Sequence, residues 1–248
     1  IQQAIAQQLM PIYEPLFSDG SFGYRPGRSA KDAILKIKEY AEAGYTSAVV
    51  LDLSRYFDTI NHVKLLNLLR QNVKDERVIQ MIKRYLKRGV MENGVVTPTG
   101  EGSPQGGNLS PLLANVYLNE LDQEFKRRGV PCIRYADDIT LLAKSERASR
   151  RLLESSVKYL EETLHLTVNR EKSRTVSVFA IRDFKFLGFR FGKGRKGVSI
   201  RVHRKSWKKF KDKLKALTSR SRCGSIVNAM KRIKVVARGW LNYYGIAD

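Results

Sequence analysis

Tyr135-Ala136-Asp137-Asp138 places two adjacent carboxylates between two short apolar runs, Cys132-Ile133-Arg134 and Ile139-Thr140-Leu141-Leu142. Runs of that kind read as β-strands, with the acidic pair as the two-residue turn joining them. A third carboxylate, Asp52, ends the run Ala48-Val49-Val50-Leu51. Strands lying side by side would bring all three to one end of a sheet, where they repel one another unless a hard divalent cation neutralises them. Two Mg²⁺ ions there, with Mn²⁺ able to substitute, can clamp an attacking hydroxyl and a leaving pyrophosphate, which is the chemistry of nucleotidyl transfer. Each piece alone is weak, since an Asp-Asp pair between strands is most often a plain hairpin turn. Asp52 and Asp137 are the leading metal ligands. Asp138 follows them, because adjacent strand residues point to opposite faces, and the Leu53 carbonyl is a further backbone ligand.

The surrounding pattern shows what must position these groups. Ile5, Leu9 and Met10 suggest a short helix that Pro11 and Pro15 interrupt, and Ser29 is a good cap for a helix with Ala33, Ile34, Ile37 and Tyr40 on one face. A strand is expected over residues 46 to 53. Two helices follow, one striped by Leu65, Leu66 and Leu69, the other starting near Asp75 with Val78, Ile79, Ile82 and Leu86 and stopping at Gly89. Asn93-Gly94 signals a hairpin, and Ser110-Pro111 reads as the cap and first turn of a long helix through Leu113, Val116, Tyr117, Leu121 and Phe125. Another helix is expected from about Ser145 to Leu164, then strands at 175 to 179, 184 to 191 and 198 to 202. The segment from Gly192 to Gly197 reads as a flexible turn approaching a basic end of two or three helices. These elements describe an α+β chain, an antiparallel sheet with helices on one face.

The motifs resemble those of the reverse transcriptases encoded by group II introns, the intron maturases, along nearly the whole chain. Phe22-Gly23-Tyr24-Arg25-Pro26-Gly27-Arg28-Ser29 is similar to the fingers motif of that family, and Asp52 to Asp58 with Asn61-His62 to its first catalytic motif. Gly102-Ser103-Pro104-Gln105-Gly106-Gly107 through Asn115 resembles the second, and Tyr135 to Asp138 the third. Residues 166 to 173 and Phe186-Leu187-Gly188-Phe189 look like later palm motifs, and Gly239-Trp240-Leu241-Asn242-Tyr243-Tyr244 like the maturase thumb. The resemblance implies a right-hand polymerase: partial helical fingers over residues 1–45, a palm with inserted fingers helices over 46–200, and the start of a basic helical thumb over 201–248. It also implies that basic fingers residues precede this sequence and that more thumb follows it.

From the same resemblance, Phe57 lies beneath the incoming sugar and excludes a 2′-hydroxyl, so the substrate would be a deoxynucleotide. Gln105 would contact template or nucleotide between glycines that let the backbone approach closely, and Lys172 would lie near the pyrophosphate. Arg25 and Arg28 are candidate contacts to template phosphate. Of the three histidines, none is expected to ligate metal, and His62 is expected to support packing of the motif.

The formal charge of +22 and pI near 10.1 call for a polyanionic partner. Residues 201 to 248 hold 14 Lys/Arg against 2 Asp, so more than half of the excess lies in the last fifth. Lys208, Lys209, Lys211 and Lys215 are therefore candidate RNA contacts. The expected partners are intron RNA, an RNA template with a DNA primer, and a deoxynucleoside triphosphate, with monomer and homodimer both open. Cys132 and Cys223 suggest neither a disulfide framework nor a zinc site. No apolar run is long enough to span a membrane, and a bacterial cytoplasmic setting follows from the family alone. Two alternatives remain: an RNA-binding splicing cofactor with an idle catalytic site, and an RNA-dependent RNA polymerase, which Phe57 and Tyr-Ala-Asp-Asp fit less well.

Overall fold

The computed structural model describes residues 1–87, 90–92, 95–97, 101–103, 106–195, 197–219 and 225–248. Gly89, the Asn93-Gly94 turn, Gln105 and Cys223 lie outside the described residues.

The central sheet has four strands in the order β4-β5-β1-β6, every neighbour antiparallel: β1 is Ser47–Leu51, β4 Cys132–Tyr135, β5 Asp138–Ala143 and β6 Arg174–Ser177. Side chains alternate between its faces. Val49, Leu51, Ile139 and Leu141 enter one core, shared with helices α1 (Gln2–Tyr13), α3 (His62–Asn72), α4 (Glu76–Leu86) and α5 (Ser110–Arg127). Ala48, Ile133 and Leu142 enter a second core, covered by helix α2 (Ala30–Glu42) and by the hairpin of β7 (Phe189–Gly194) and β8 (Gly197–Val202). The sheet is thus covered on both faces, not one. The reason is visible in β5, where five consecutive residues after Asp138 are buried and no polar face is left over.

Local chemistry sets most helix starts. Ser29 and Asp32 form a reciprocal capping box on α2, Asp75 caps α4, and Ser145 caps α6 (Glu146–Lys158), each such cap contributing about 1 kcal/mol. α6 continues into a π turn at Tyr159–Thr163. Strands β2 (Val90–Glu92) and β3 (Val95–Thr97) pair as a small antiparallel hairpin. The basic end forms helices α7 (Arg204–Leu217) and α8 (Ile226–Tyr244), joined by rings: Trp240 lies 4.9 Å from Trp207 and 4.6 Å from Phe210.

Several sequence expectations need correcting. Pro11 does not interrupt α1, which runs on to Tyr13, because burial of Ala6, Leu9 and Tyr13 along one stripe outweighs the missing amide. Ser110 is not the cap of α5. Leu109 holds that position, and the Ser110 hydroxyl is buried 2.8 Å from both the Tyr85 hydroxyl and Ser103 Oγ. The expected strand over 184 to 191 begins only at Phe189, since Leu187 and Gly188 turn the chain with φ of +47° and +88°. The Gly192–Gly197 segment is hairpin rather than free connector: Gly192 pairs with Ser199 and Gly194 with Gly197. The chain reaches the basic helices through Val202 and His203 instead.

Candidate active site

The acidic turn sits one residue earlier than its sequence suggests. Tyr135 pairs with Asp138, so Ala136 and Asp137 form the bend, and Asp138 is the first residue of β5. Ala136 takes φ +58°, the left-handed value that tight two-residue hairpins require. The register that pairs Leu51 with Ile139, carried one step further, sets Asp52 beside Asp138. Asp138 is held above the usual carboxylate range, first by desolvation and then by the negative charges of Asp137 and Asp52. The charges of Asp137 and Asp52 thus both act on Asp138 at this sheet end.

Asp52 is braced from a distant segment. Its amide donates to Ser173 Oγ at 3.0 Å, and its carbonyl accepts from the Asn169 amide at 2.8 Å. Leu53 bridges Val168 in a pairing made by these neighbours, which leaves the Leu53 carbonyl out of the ladder. The Lys172 ammonium lies 3.8 Å from Asp52 Oδ1 and is mostly exposed, a loose surface pair.

Among the described residues, no three His, Cys, Asp or Glu side chains are grouped so that they could hold a metal ion by themselves. The donor chemistry still fits a hard cation. Mg²⁺ keeps most of its waters and binds through one or two carboxylates plus substrate phosphates rather than in a full protein cage, and the mutual repulsion at Asp138 is what such a cation relieves.

Phe57 is half-buried on the wall of a cavity of about 550 Å³ that it shares with Tyr24, Gly106, Gly107 and Asn108. The Gly-rich segment is clamped onto this loop: the Ser103 amide donates to the Phe57 carbonyl at 2.6 Å, and buried His62 donates from Nε2 to the Gly102 carbonyl at 2.6 Å. Gly102 has φ +91°, and a Cβ there would meet the Asp58 backbone at 2.8 Å, so the close approach requires glycine. A second cavity, of about 700 Å³, runs from Asp138 and Lys185 to Lys209, Trp240 and Tyr243 on the basic helices. It makes the acidic sheet end continuous with the cationic end of the chain.

One of the two candidate arginines differs from expectation. Arg25 does not face outward: it is buried, its guanidinium consumed by Glu14 Oε1 at 2.7 Å and by the carbonyls of Ser18 and Ser21 at 2.6 and 2.8 Å. A buried cation must be satisfied internally, so Arg25 builds the loop and is withdrawn as a phosphate contact. Arg28 is partly exposed, paired with Asp19 at 3.0 Å and set over the Phe22 ring. Lys208, Lys209, Lys211 and Lys215 are all exposed on α7.

Sequence reasoning passed over Arg134, which is fully buried behind the acidic turn. It pairs with Asp122 at 2.6 Å, donates to Asn115 Oδ1 at 2.8 Å and Ser21 Oγ at 2.8 Å, and reaches the Ala136 carbonyl. A charged residue inside an apolar strand was the available signal. Arg55 was also passed over: it is exposed, with φ +47°, between Asp52 and Phe57.

Residues 1–191 match the family model "Reverse transcriptase (RNA-dependent DNA polymerase)", and residues 207–248 match "Group II intron, maturase-specific domain". The chain is 46% identical over 124 residues to Group II intron-encoded protein LtrA of Lactococcus lactis subsp. cremoris, covering 50% of this chain and 20% of that protein. It is 31% identical over 228 residues to Protein YkfC of Escherichia coli (strain K12), covering 77% and 59%. It thus spans only part of these relatives' length. Telomerase of Candida albicans, solved with a fragment of telomeric RNA, superposes with a TM-score of 0.59 over 97% of this chain and 45% of that one, at 12% identity. That likeness shows the fold, an antiparallel polymerase palm.

Proposed function

The chain belongs to the reverse transcriptases of group II introns, and on that premise we propose that it copies RNA into DNA, transferring a nucleotide from a deoxynucleoside triphosphate to a primer 3′-hydroxyl. The observation that carries this reading is the strand register that sets Asp52 beside Asp138 at one sheet end, with the charges of Asp137 and Asp52 both acting on Asp138. Asp52, Asp137 and Asp138, with the Leu53 carbonyl, are the groups that would hold two Mg²⁺ ions, or Mn²⁺ in their place. When bound, the ions supply positive charge to the attacking hydroxyl and the leaving pyrophosphate.

The chain's own residues do the rest. Phe57 excludes a 2′-hydroxyl by its bulk, Gln105 contacts template or nucleotide, and Lys172 offers an ammonium beside Asp52 for the leaving group. Lys208, Lys209, Lys211 and Lys215 bind phosphates of intron RNA or of the template and primer, alone or as a homodimer. The match of residues 207–248 to the maturase-specific domain supports a role in intron splicing as well. No helix among the described residues is long and apolar enough to cross a membrane; the Lactococcus relative supports a bacterial origin, and the cytoplasm is the setting we propose.

Primer extension on an RNA template, comparing deoxy- and ribonucleotides, tests the reading. DNA synthesis that depends on Mg²⁺ or Mn²⁺ supports it. Efficient splicing of an intron RNA with no extension of any primer would leave the RNA-binding cofactor instead.

A further inference from the structure

Tyr24 carries a large ring on a backbone that an L-residue rarely adopts. Its φ is +58°, in the left-handed region that favours glycine, yet the residue remains 49% exposed. With half of the residue in solvent, packing of the ring within the fold offsets only part of such strain. It is imposed by both neighbours. The Gly23 carbonyl accepts from Asn115 Nδ2 at 2.8 Å, and a Cβ on Gly23 would lie 2.3 Å from the Ala136 amide, so this glycine is pressed against the acidic turn. On the other side, Arg25 is anchored in the interior by Glu14, Ser18 and Ser21. With both flanks pinned, what the strain achieves is the placement of the ring, which lines the cavity opened by Phe57, Gly106 and Gly107. Its hydroxyl is held above the usual phenol range, by desolvation first and by the Asp137 charge second. Strained residues of this kind persist where surrounding structure over-determines them, and they cluster at ligand clamps.

We propose that Tyr24 is a nucleotide-contacting residue, whose ring closes the Phe57 cavity and packs on the deoxynucleoside triphosphate held beside Asp137. This rests on the reading of the cavity as the nucleotide pocket. Gln3 from α1, Asn108 and Ser110 are the polar side chains on the same lining, and Tyr24 and Phe57 are its two rings. Arg55 shares the strained backbone but does not line the cavity, so it is not part of the proposal.

The glycine substitution separates contact from structure, because glycine relieves the left-handed φ while removing the ring. Steady-state primer extension and thermal melting should be measured for wild type, Tyr24→Gly and Tyr24→Phe. Tyr24→Gly is expected to raise KM for the deoxynucleotide on the order of tenfold, as loss of an aromatic platform does. kcat should change less, and the melting temperature should stay level or rise. Tyr24→Phe, which keeps the ring, should have a KM near wild type. An unchanged KM in Tyr24→Gly beside an active wild type overturns the proposal alone, as does a KM that rises only together with a lowered melting temperature. A wild type that extends no primer overturns the nucleotide-pocket reading and this proposal together.

Discussion

Arg134 donates from Nη1 to the carbonyl oxygen of Ala136 at 3.0 Å, so a buried cation holds the hairpin bend one residue before Asp137. The same guanidinium is paired with Asp122 at 2.6 Å and bonded to Ser21 and Asn115, which ties the acidic turn to α5 and to the loop before α2. Removing one partner of a buried pair leaves the other charge uncompensated. Arg134→Ala should therefore lower unfolding stability by about 3–5 kcal/mol, read from urea denaturation. Arg134→Met combined with Asp122→Leu should lose much less stability, yet still slow primer extension through a misaligned turn. Equal stability losses in the single and double variants would show that the pair matters only as packing.

Asp138 titrates above its ordinary range in the folded chain because of desolvation and the charges of Asp137 and Asp52. Unfolding returns it to the ordinary carboxylate value. Protonation therefore favours the folded state: the contribution is fully present below that ordinary value and is lost as pH rises through the raised one. In metal-free buffer, Asp138→Asn should melt higher than wild type at pH 7, the gap closing below about pH 4. Mg²⁺ should raise the wild-type melting temperature more than that of the variant. Parallel melting curves from pH 4 to 8 would show that the three carboxylates are not coupled.

Lys208, Lys209, Lys211 and Lys215 are exposed along α7, and none of them has an acidic partner within ion-pair distance among the described residues. Neutralising the four together should weaken RNA binding and flatten the slope of log K against log salt by up to ~0.7 to 0.9 for each phosphate that is no longer neutralised. A slope that does not move would put the RNA-binding face elsewhere.

In the proposed reading Phe57 excludes one hydroxyl group. Its removal should act through the absence of a clash and not through weaker affinity for the correct sugar. Phe57→Ala is expected to raise ribonucleotide incorporation by roughly ten- to a hundredfold, about 1.4 to 2.7 kcal/mol less discrimination. Deoxynucleotide use should fall only modestly. The comparison is kcat/KM for matched deoxy- and ribonucleotides in both proteins, and an unchanged ratio would make Phe57 a packing residue.

Much of the architecture could be read from short-range chemistry. Ser29, Asp75 and Ser145 cap the helices their sequences announce, and the strand before Asp52 forms where its apolar run predicts. Tertiary relationships were less legible. Burial of both sheet faces depends on what packs over Ala48 and Leu142, which is decided by Phe184 to Ile200, distant in sequence. The bend fell on Ala136 instead of Asp138 because strand pairing and the Arg134 bond, not turn propensity, set the register. Arg25 looked like a surface cation, since nothing in its own motif reveals that Glu14 lies behind it. Tyr24 and Arg134 gave only weak signals in sequence, because the role of each comes from neighbours that the fold supplies.

The central claim is that the carboxylates at the end of β1 and at the β4-β5 bend perform nucleotidyl transfer, and Asp137→Ala tests it most directly. Primer extension on an RNA template in Mg²⁺ should fall by about a thousandfold or more, since the charge stabilisation supplied there is worth several kcal/mol. RNA affinity and intron splicing, which we propose to draw on the basic helices, should change little. A folded Asp137→Ala protein that keeps more than a tenth of wild-type extension would contradict the assignment.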